Sequence, residues 1–332
     1  MRTTKGLVRG NISQIQLFLR DYPVLWLSLG LALLVVPVRP EILSPLNLET
    51  LVLTTSLLLV LSLGQSFVLI TAGIDLSLPA VMSLASVAGA SCLAGATSSV
   101  GAPLSVLMAI AVMLLVGLTI GFLHGFAVAC LRMPAFLVTL ASLLWVGGVA
   151  VWYTESERIT VTEEFTQVWY GRFLGIPLPV WTVAVMAVLV HSILNNTVMG
   201  KRLYAVGHGF QTSLVSGVPV GRTIVFAYMA SGLCASIAAL FYAARLHTGS
   251  PELVENEVLL DCIGAAVIGG TSLFGGKGKV VGILLGAVFI SLVGNSLNML
   301  GLRYWHVIMV KGGVILLAAV LDTFQRRWSG EE

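Results

Sequence analysis

The chain is punctuated by apolar stretches long enough to cross a lipid bilayer, and their recurrence restricts its fold more than any other feature. Windows rich in Leu, Val, Ala and Ile fall at about Val24 to Val38, Leu51 to Thr71, Leu76 to Ala96, Pro103 to Leu131 and Phe136 to Tyr153. Five more follow at Leu178 to Leu194, Thr223 to Ala244, Val258 to Ser272, Val280 to Leu300 and Trp305 to Leu321. A helix needs about 20 apolar residues to span the hydrocarbon, and inside lipid only helices and closed barrels satisfy every backbone polar group. The pattern therefore predicts an all-α polytopic membrane protein with about ten transmembrane helices. The eighth window is short and holds Asp261, so a half-helix or re-entrant segment competes there with a full crossing. The fourth is long enough to tilt.

Composition excludes the competing classes. Of 332 residues, 57% are apolar and 10% charged, against about 25% charged in a soluble domain. The longest stretches between windows, residues 154–177 and 196–222, are too short for a separate catalytic domain, which takes at least about 50 residues. Residues 1–23 read as a cytoplasmic or interfacial segment, with Ile12, Ile15 and Leu19 at helical spacing; 24–322 as a single transmembrane domain; and 323–332 as a tail. The net charge of +3 is scattered over short loops without a basic run, so no nucleic-acid partner is expected.

Lys and Arg collect on the cytoplasmic side of membrane proteins. With ten spans and an inside start, Arg2, Lys5, Arg9, Arg20, Arg132, Lys201, Arg202, Arg222, Lys277, Lys279, Arg326 and Arg327 fall inside. Only Arg39, Arg158, Arg172, Arg245 and Arg303 fall outside, and Lys311 lies within the last window. Both termini are expected in the cytoplasm, and the count favours a full crossing by the eighth window. The predicted outer loops carry a surplus of acid, including Glu41, Glu49, Glu155, Glu157, Glu163, Glu164, Glu252, Glu255, Glu257 and Asp261. Such an acidic rim suits a basic partner surface and equally suits plain solvation.

No catalytic or metal-binding constellation is evident. His124, His191, His208, His247 and His306 are dispersed, and Cys92, Cys130, Cys234 and Cys262 are isolated in apolar sequence. The run from Gly269 to Gly278 fails as a phosphate loop: counting back from Gly276, Thr271 stands where the first glycine is required, and Gly278 stands where the hydroxyl is required. Transport remains, and polar groups at membrane depth become the candidates. Gly73 breaks the second span just before Asp75, while Ser77 suits a helix cap with Pro79 in the first turn, so Asp75 and Ser77 serve either solute or cap. Gln65 is another candidate, and Asn295 and Asn298 share one helix face, which suits a hydroxylated solute better than an ion. Gly117, Gly121 and Gly125, and Gly282 and Gly286, read as close helix packing inside the chain, with dimerisation the minor alternative.

These segments together resemble the permease subunits of bacterial ATP-binding-cassette sugar importers of the ribose, galactose and autoinducer-2 branch. Ala72-Gly73-Ile74-Asp75-Leu76-Ser77 is similar to that family's Gly-Gly-Ile-Asp-Leu-Ser signature. The stretch Asp261 through Gly269, Gly270, Thr271, Ser272, Leu273, Phe274, Gly275 and Gly276 to Gly278 resembles its Gly-Gly-Thr-Ser-Leu run. The resemblance implies a multi-pass protein of the bacterial inner membrane and a second permease subunit, like or unlike this one. It also implies separate ATPase subunits that bind the ATP, a soluble sugar-binding protein, and no cofactor in this chain. It places the ATPase coupling loop at Gly207 to Gly217, within about 200–222, where Gly207, Ser216 and Gly217 match the family pattern and Gln211, Thr212 and Ser213 depart from it. An ion-coupled secondary carrier is the alternative; it calls for inverted repeats and buried titrating groups, of which the sequence offers no convincing repeat and few such groups.

Overall fold

The computed structural model describes residues 23–251 and 256–329. Among them are thirteen α-helices. In chain order these are α1 (Pro23–Val35), α2 (Pro45–Ile70), α3 (Leu78–Val100), α4 (Ala102–Ala129), α5 (Ala135–Thr154), α6 (Glu163–Tyr170), α7 (Leu178–Asn196), α8 (Val198–His208) and α9 (Phe210–Val215). They continue with α10 (Val220–Leu246), α11 (Asn256–Ile268), α12 (Val280–Met299) and α13 (Tyr304–Ser329). Each of the ten apolar windows contains one helix. Seven are long and apolar enough to cross a membrane, whereas α1 and α11 have 13 residues each and the apolar part of α13 ends at Leu317. The basic residues Arg2, Lys5, Arg9 and Arg20, the interfacial stretch Ile12 to Leu19, and Glu252 and Glu255 lie outside the described residues.

Helices α2 and α10 form the centre. The last fifteen residues of α2, Ser56 to Ile70, are all buried, as expected of a helix apolar on every side. Its start is set by Ser44, whose hydroxyl accepts the Asn47 N–H, and by Pro45 in the first turn. Outer helices bury only a stripe: α5 turns Val138, Ser142, Val146, Ala150 and Thr154 inward, one turn apart, and leaves Leu144, Trp145 and Trp152 exposed. Lipid accepts the outward apolar face, so no polar face is needed to make the stripe.

The glycine stripes are used within the chain. A Cβ on Gly117, Gly121 or Gly125 would overlap the α10 backbone at Gly232, Tyr228 or Val225, and one on Gly282 or Gly286 would overlap Gly269 or Ala265 of α11 and its end. Backbones at these crossings touch directly, the packing such spacing permits. On the far side of α2, α11 and α12 pack together, with α1 against α12 and α13 against both α11 and α12.

Residues 154–177, between two apolar windows, carry structure. Thr162 caps α6 by accepting the Phe165 N–H, and α6 buries Phe165, Thr166 and Trp169 against α10. Arg172–Phe173 pairs with Ile176–Pro177 around Leu174 and Gly175, both at positive φ, the turn geometry that matches strand twist. Ile159–Thr160 pairs with Thr248–Gly249 beyond the end of α10. The fold is thus helical with two minimal strand pairs at one end.

Candidate functional site

Two polar constellations stand inside the bundle. The first surrounds the break between α2 and α3. Gly73 N–H and Ala72 N–H close the last turn of α2 on Val68 O and Leu69 O, and the chain then runs extended back into the interior. Asp75 is there 1% exposed. Its Oδ1 accepts from Ser77 N–H (3.0 Å) and Ser77 Oγ–H (2.6 Å), and its Oδ2 accepts from Ser231 Oγ–H of α10 (2.7 Å). The Oδ1 bond to the Ser77 amide is an Asx turn. Asp75 therefore caps the turn entering α3; Ser77, at the cap position, makes no side-chain cap bond of its own.

The Gln65 amide faces the same residue and, oriented with its nitrogen toward Asp75 O, donates to that oxygen (3.1 Å) and accepts from Asp75 N–H (3.3 Å). Ser77 Oγ lies 3.4 Å from His124 Nδ1, and His124 Nε2 lies 2.6 Å from Ser142 Oγ. Because the Ser77 proton goes to Asp75, the pattern is satisfied by a neutral His124 that carries its proton on Nδ1. Thr139 Oγ1 and Tyr228 Oη donate to Ile74 O from α5 and α10. Gln65, Asp75 and Ser77 thus belong to one closed network joining α2, α3, α4, α5 and α10.

The second constellation lines a cavity of about 300 Å³ between α2, α10, α11, α12 and α13. Its polar walls are Thr50, Thr54, Arg245, Asp261, Ser291, Asn295, Asn298 and Lys311. Asn295 and Asn47 exchange amide bonds (3.1 and 2.8 Å), fixing α12 to α2, while the Asn298 side chain, one turn on, is exposed. Lys311 reaches from α13 past Gly294, where a Cβ would come within 3.0 Å of its stem, to donate to Asp261 Oδ2 (2.8 Å) and Glu257 Oε1 of α11. Arg245 stacks on Trp169 at 5.6 Å. Asn295 and Asn298 therefore meet at a cavity that Gln65, Asp75 and Ser77 do not line.

At the opposite end of α2, three segments converge. Gly276 N–H donates to Ile70 O (2.9 Å), and Gly207 of α8 lies so close to Ile70 O that it has no room for a side chain. The run Gly269 to Gly278 forms a tight loop with Gly270, Gly275 and Gly276 at positive φ and with Thr271 and Ser272 buried. Tyr204 Oη donates to Gly278 O (2.7 Å), and burial pushes the Tyr204 phenol up from its usual range. Beyond Gly209, α9 buries Ser213 and exposes Gln211, Thr212, Leu214 and Val215, followed by exposed Ser216 and Gly217.

A family described as the permease component of branched-chain amino acid transport systems matches residues 47–319. The chain belongs to this permease family. Curated relatives include the ribose import permease protein RbsC of Bacillus subtilis, 35% identical over 89% of this chain and 91% of that protein. RbsC of Escherichia coli is 33% identical over 96% of this chain and 98% of its own length. The L-arabinose permease AraH of Azospirillum brasilense is 31% identical over 86% of this chain and 83% of its own. No solved structure matches.

This permease is accordingly a multi-pass inner-membrane protein. The pairings of several of its polar residues escaped sequence reasoning. Ser231 and Asn47 are neutral side chains near or inside apolar helices, and their partners lie 156 and 248 residues away. Lys311 signalled itself as an intramembrane charge, but nothing in the sequence paired it with α11. Three acids of the expected rim are engaged internally, Glu49 with Arg172 and both Glu257 and Asp261 with Lys311.

Proposed function

We propose that the solute is a neutral, polyhydroxylated sugar, carried inward through the cavity between α2, α10, α11, α12 and α13. The chain is the transmembrane permease subunit of a sugar importer. The reading rests on one observation: a cavity between the spans is lined with amide, hydroxyl and charged side chains. Relatives named for ribose and L-arabinose import support the sugar class. Ten crossings with both termini cytoplasmic accommodate the structure, α11 and the loop to Gly278 completing the eighth.

The end where Ile70, Gly207 and Gly276 meet is then cytoplasmic, and α8 and α9, within about 200–222, form the coupling element for separate ATPase subunits. Those subunits bind the ATP, so the chain itself needs no cofactor. Exposed Leu214 and Val215 offer the ATPase an apolar hold. Residues 24–322 act as one domain beside a second permease subunit. The remaining exposed acids, Glu41, Glu155, Glu157, Glu163 and Glu164, face a soluble sugar-binding protein. The network of Gln65, Asp75 and Ser77 supports the path by fixing the α2–α3 turn above the coupling element. Purification of the tagged chain from its own cells, with every bound subunit identified, tests this assembly. An ATP-binding-cassette ATPase and a permease partner are expected in stoichiometric amounts; recovery of the chain alone in a state active for uptake would contradict it.

A further inference from the structure

The cavity contains a charge cluster that transport of a neutral solute does not by itself require. Lys311, Glu257 and Asp261 have side chains only 12%, 17% and 15% exposed, and Arg245 lines the same cavity. Lys311 is matched by both carboxylates, and Arg245 lies over the Trp169 ring. Lys311 has three N–H donors, of which two go to Glu257 and Asp261. Ser291 also lines the cavity, and its buried hydroxyl has no hydrogen-bond partner among the described residues. An orphaned buried hydroxyl beside an incompletely used ammonium marks a place where a polar ligand completes the bonding.

We propose that Lys311 and Asp261, with Ser291 and Asn298, form the sugar-reading subsite of the cavity, and that Glu257 positions Lys311. The assignment rests on the permease reading given above. A sugar hydroxyl both donates and accepts, so an ammonium N–H beside a carboxylate oxygen satisfies it completely. An anionic sugar meets two carboxylates already holding the Lys311 ammonium, and it would have to give up its hydration without an equal return. The subsite thus takes neutral polyols and refuses sugar acids and sugar phosphates. Gly294 belongs to the device, since its missing side chain is what lets the Lys311 stem cross α12.

Protection of an engineered thiol tests this without ATPase or binding protein. The full chain, carrying Thr50→Cys at an exposed position of the cavity wall with Cys92 and Cys130 replaced by alanine, is alkylated in lipid nanodiscs by a membrane-impermeant maleimide. D-ribose, L-arabinose and D-xylose are the neutral probes, and ribonate and ribose 5-phosphate the anionic ones. At concentrations several times its dissociation constant, at least one neutral pentose is expected to slow alkylation about five-fold, with neither anion protecting. Lys311→Met alone strands two carboxylates, so the informative variant is the triple Lys311→Met, Asp261→Asn, Glu257→Gln, which removes the ion cluster without leaving an unpaired carboxylate. It should alkylate at the unprotected rate and lose protection. Glu257→Gln alone leaves a surplus positive charge and should let ribonate protect. Absence of protection by every neutral pentose, equal protection by the anions, or full protection in the triple variant would each overturn the proposal. Failure of the permease reading would appear elsewhere, as absence of ATP-driven uptake.

Discussion

Asp75 illustrates how a carboxylate at membrane depth can be structural. Three donated hydrogen bonds and the Gln65 clamp on its backbone hold the turn that sends the chain from α2 into α3. Removing the acceptor leaves buried hydroxyl and amide donors unmatched, at about 1–3 kcal/mol for each unsatisfied group. Asp75→Ala is therefore expected to destabilise the purified protein by about 3 kcal/mol or more, and Ser231→Ala by about 1 kcal/mol; chemical unfolding in detergent reads both. Tyr204 gives a pH signature. Its folded-state pKa is raised by burial, so its contribution is complete below the ordinary phenol pKa of about 10 and fades as pH rises above it. Melting in detergent should fall more steeply on the alkaline side for the parent than for Tyr204→Phe. The sequence disclosed Asp75 through the Gly73 break and the helix start marked by Ser77 and Pro79. Its partners stayed hidden because serine and histidine within apolar helices leave no periodic mark.

Helices announced themselves by apolar length, and all ten windows hold one. Depth was harder to read: α11 stops after Ile268, as the short eighth window allowed, and a tight loop runs from there to Gly278. The amphipathic α6 and the hairpin around Gly175 were absent from the sequence reading because each is too short to stand out against flanking spans. The glycine stripes were legible as packing faces, and the structure names their partners. Gly121→Val is expected to fail to assemble or to lose at least about 1–3 kcal/mol, because its Cβ would strike the Tyr228 carbonyl; Gly148, with open space around it, should accept alanine with little change in melting. At α9, Leu214→Asp places charge on an already exposed residue. Melting should stay unchanged while sugar-stimulated ATP hydrolysis by the assembled complex falls at least about ten-fold, as loss of an apolar contact at a coupling surface implies.

For the whole molecule, what matters is that the chain has spans, a polar cavity and, at the end of α2 away from that cavity, an exposed α9 proposed as the coupling surface. In the proposed function the two polar constellations divide the labour, one binding solute and the other fixing the elements between solute and surface. Electrostatic docking of the binding protein on the remaining acidic residues predicts weaker association as ionic strength rises and the screening length falls to about 8 Å at physiological salt; salt-independent docking would remove that surface from the account. The energy source separates an importer permease from an ion-coupled carrier. Proteoliposomes with the permease alone, and with its ATPase and binding protein added, are to be assayed for radiolabelled pentose uptake under ATP, a proton gradient or a sodium gradient. Uptake should require ATP together with the added subunits; accumulation driven by either gradient in vesicles holding the permease alone would contradict it.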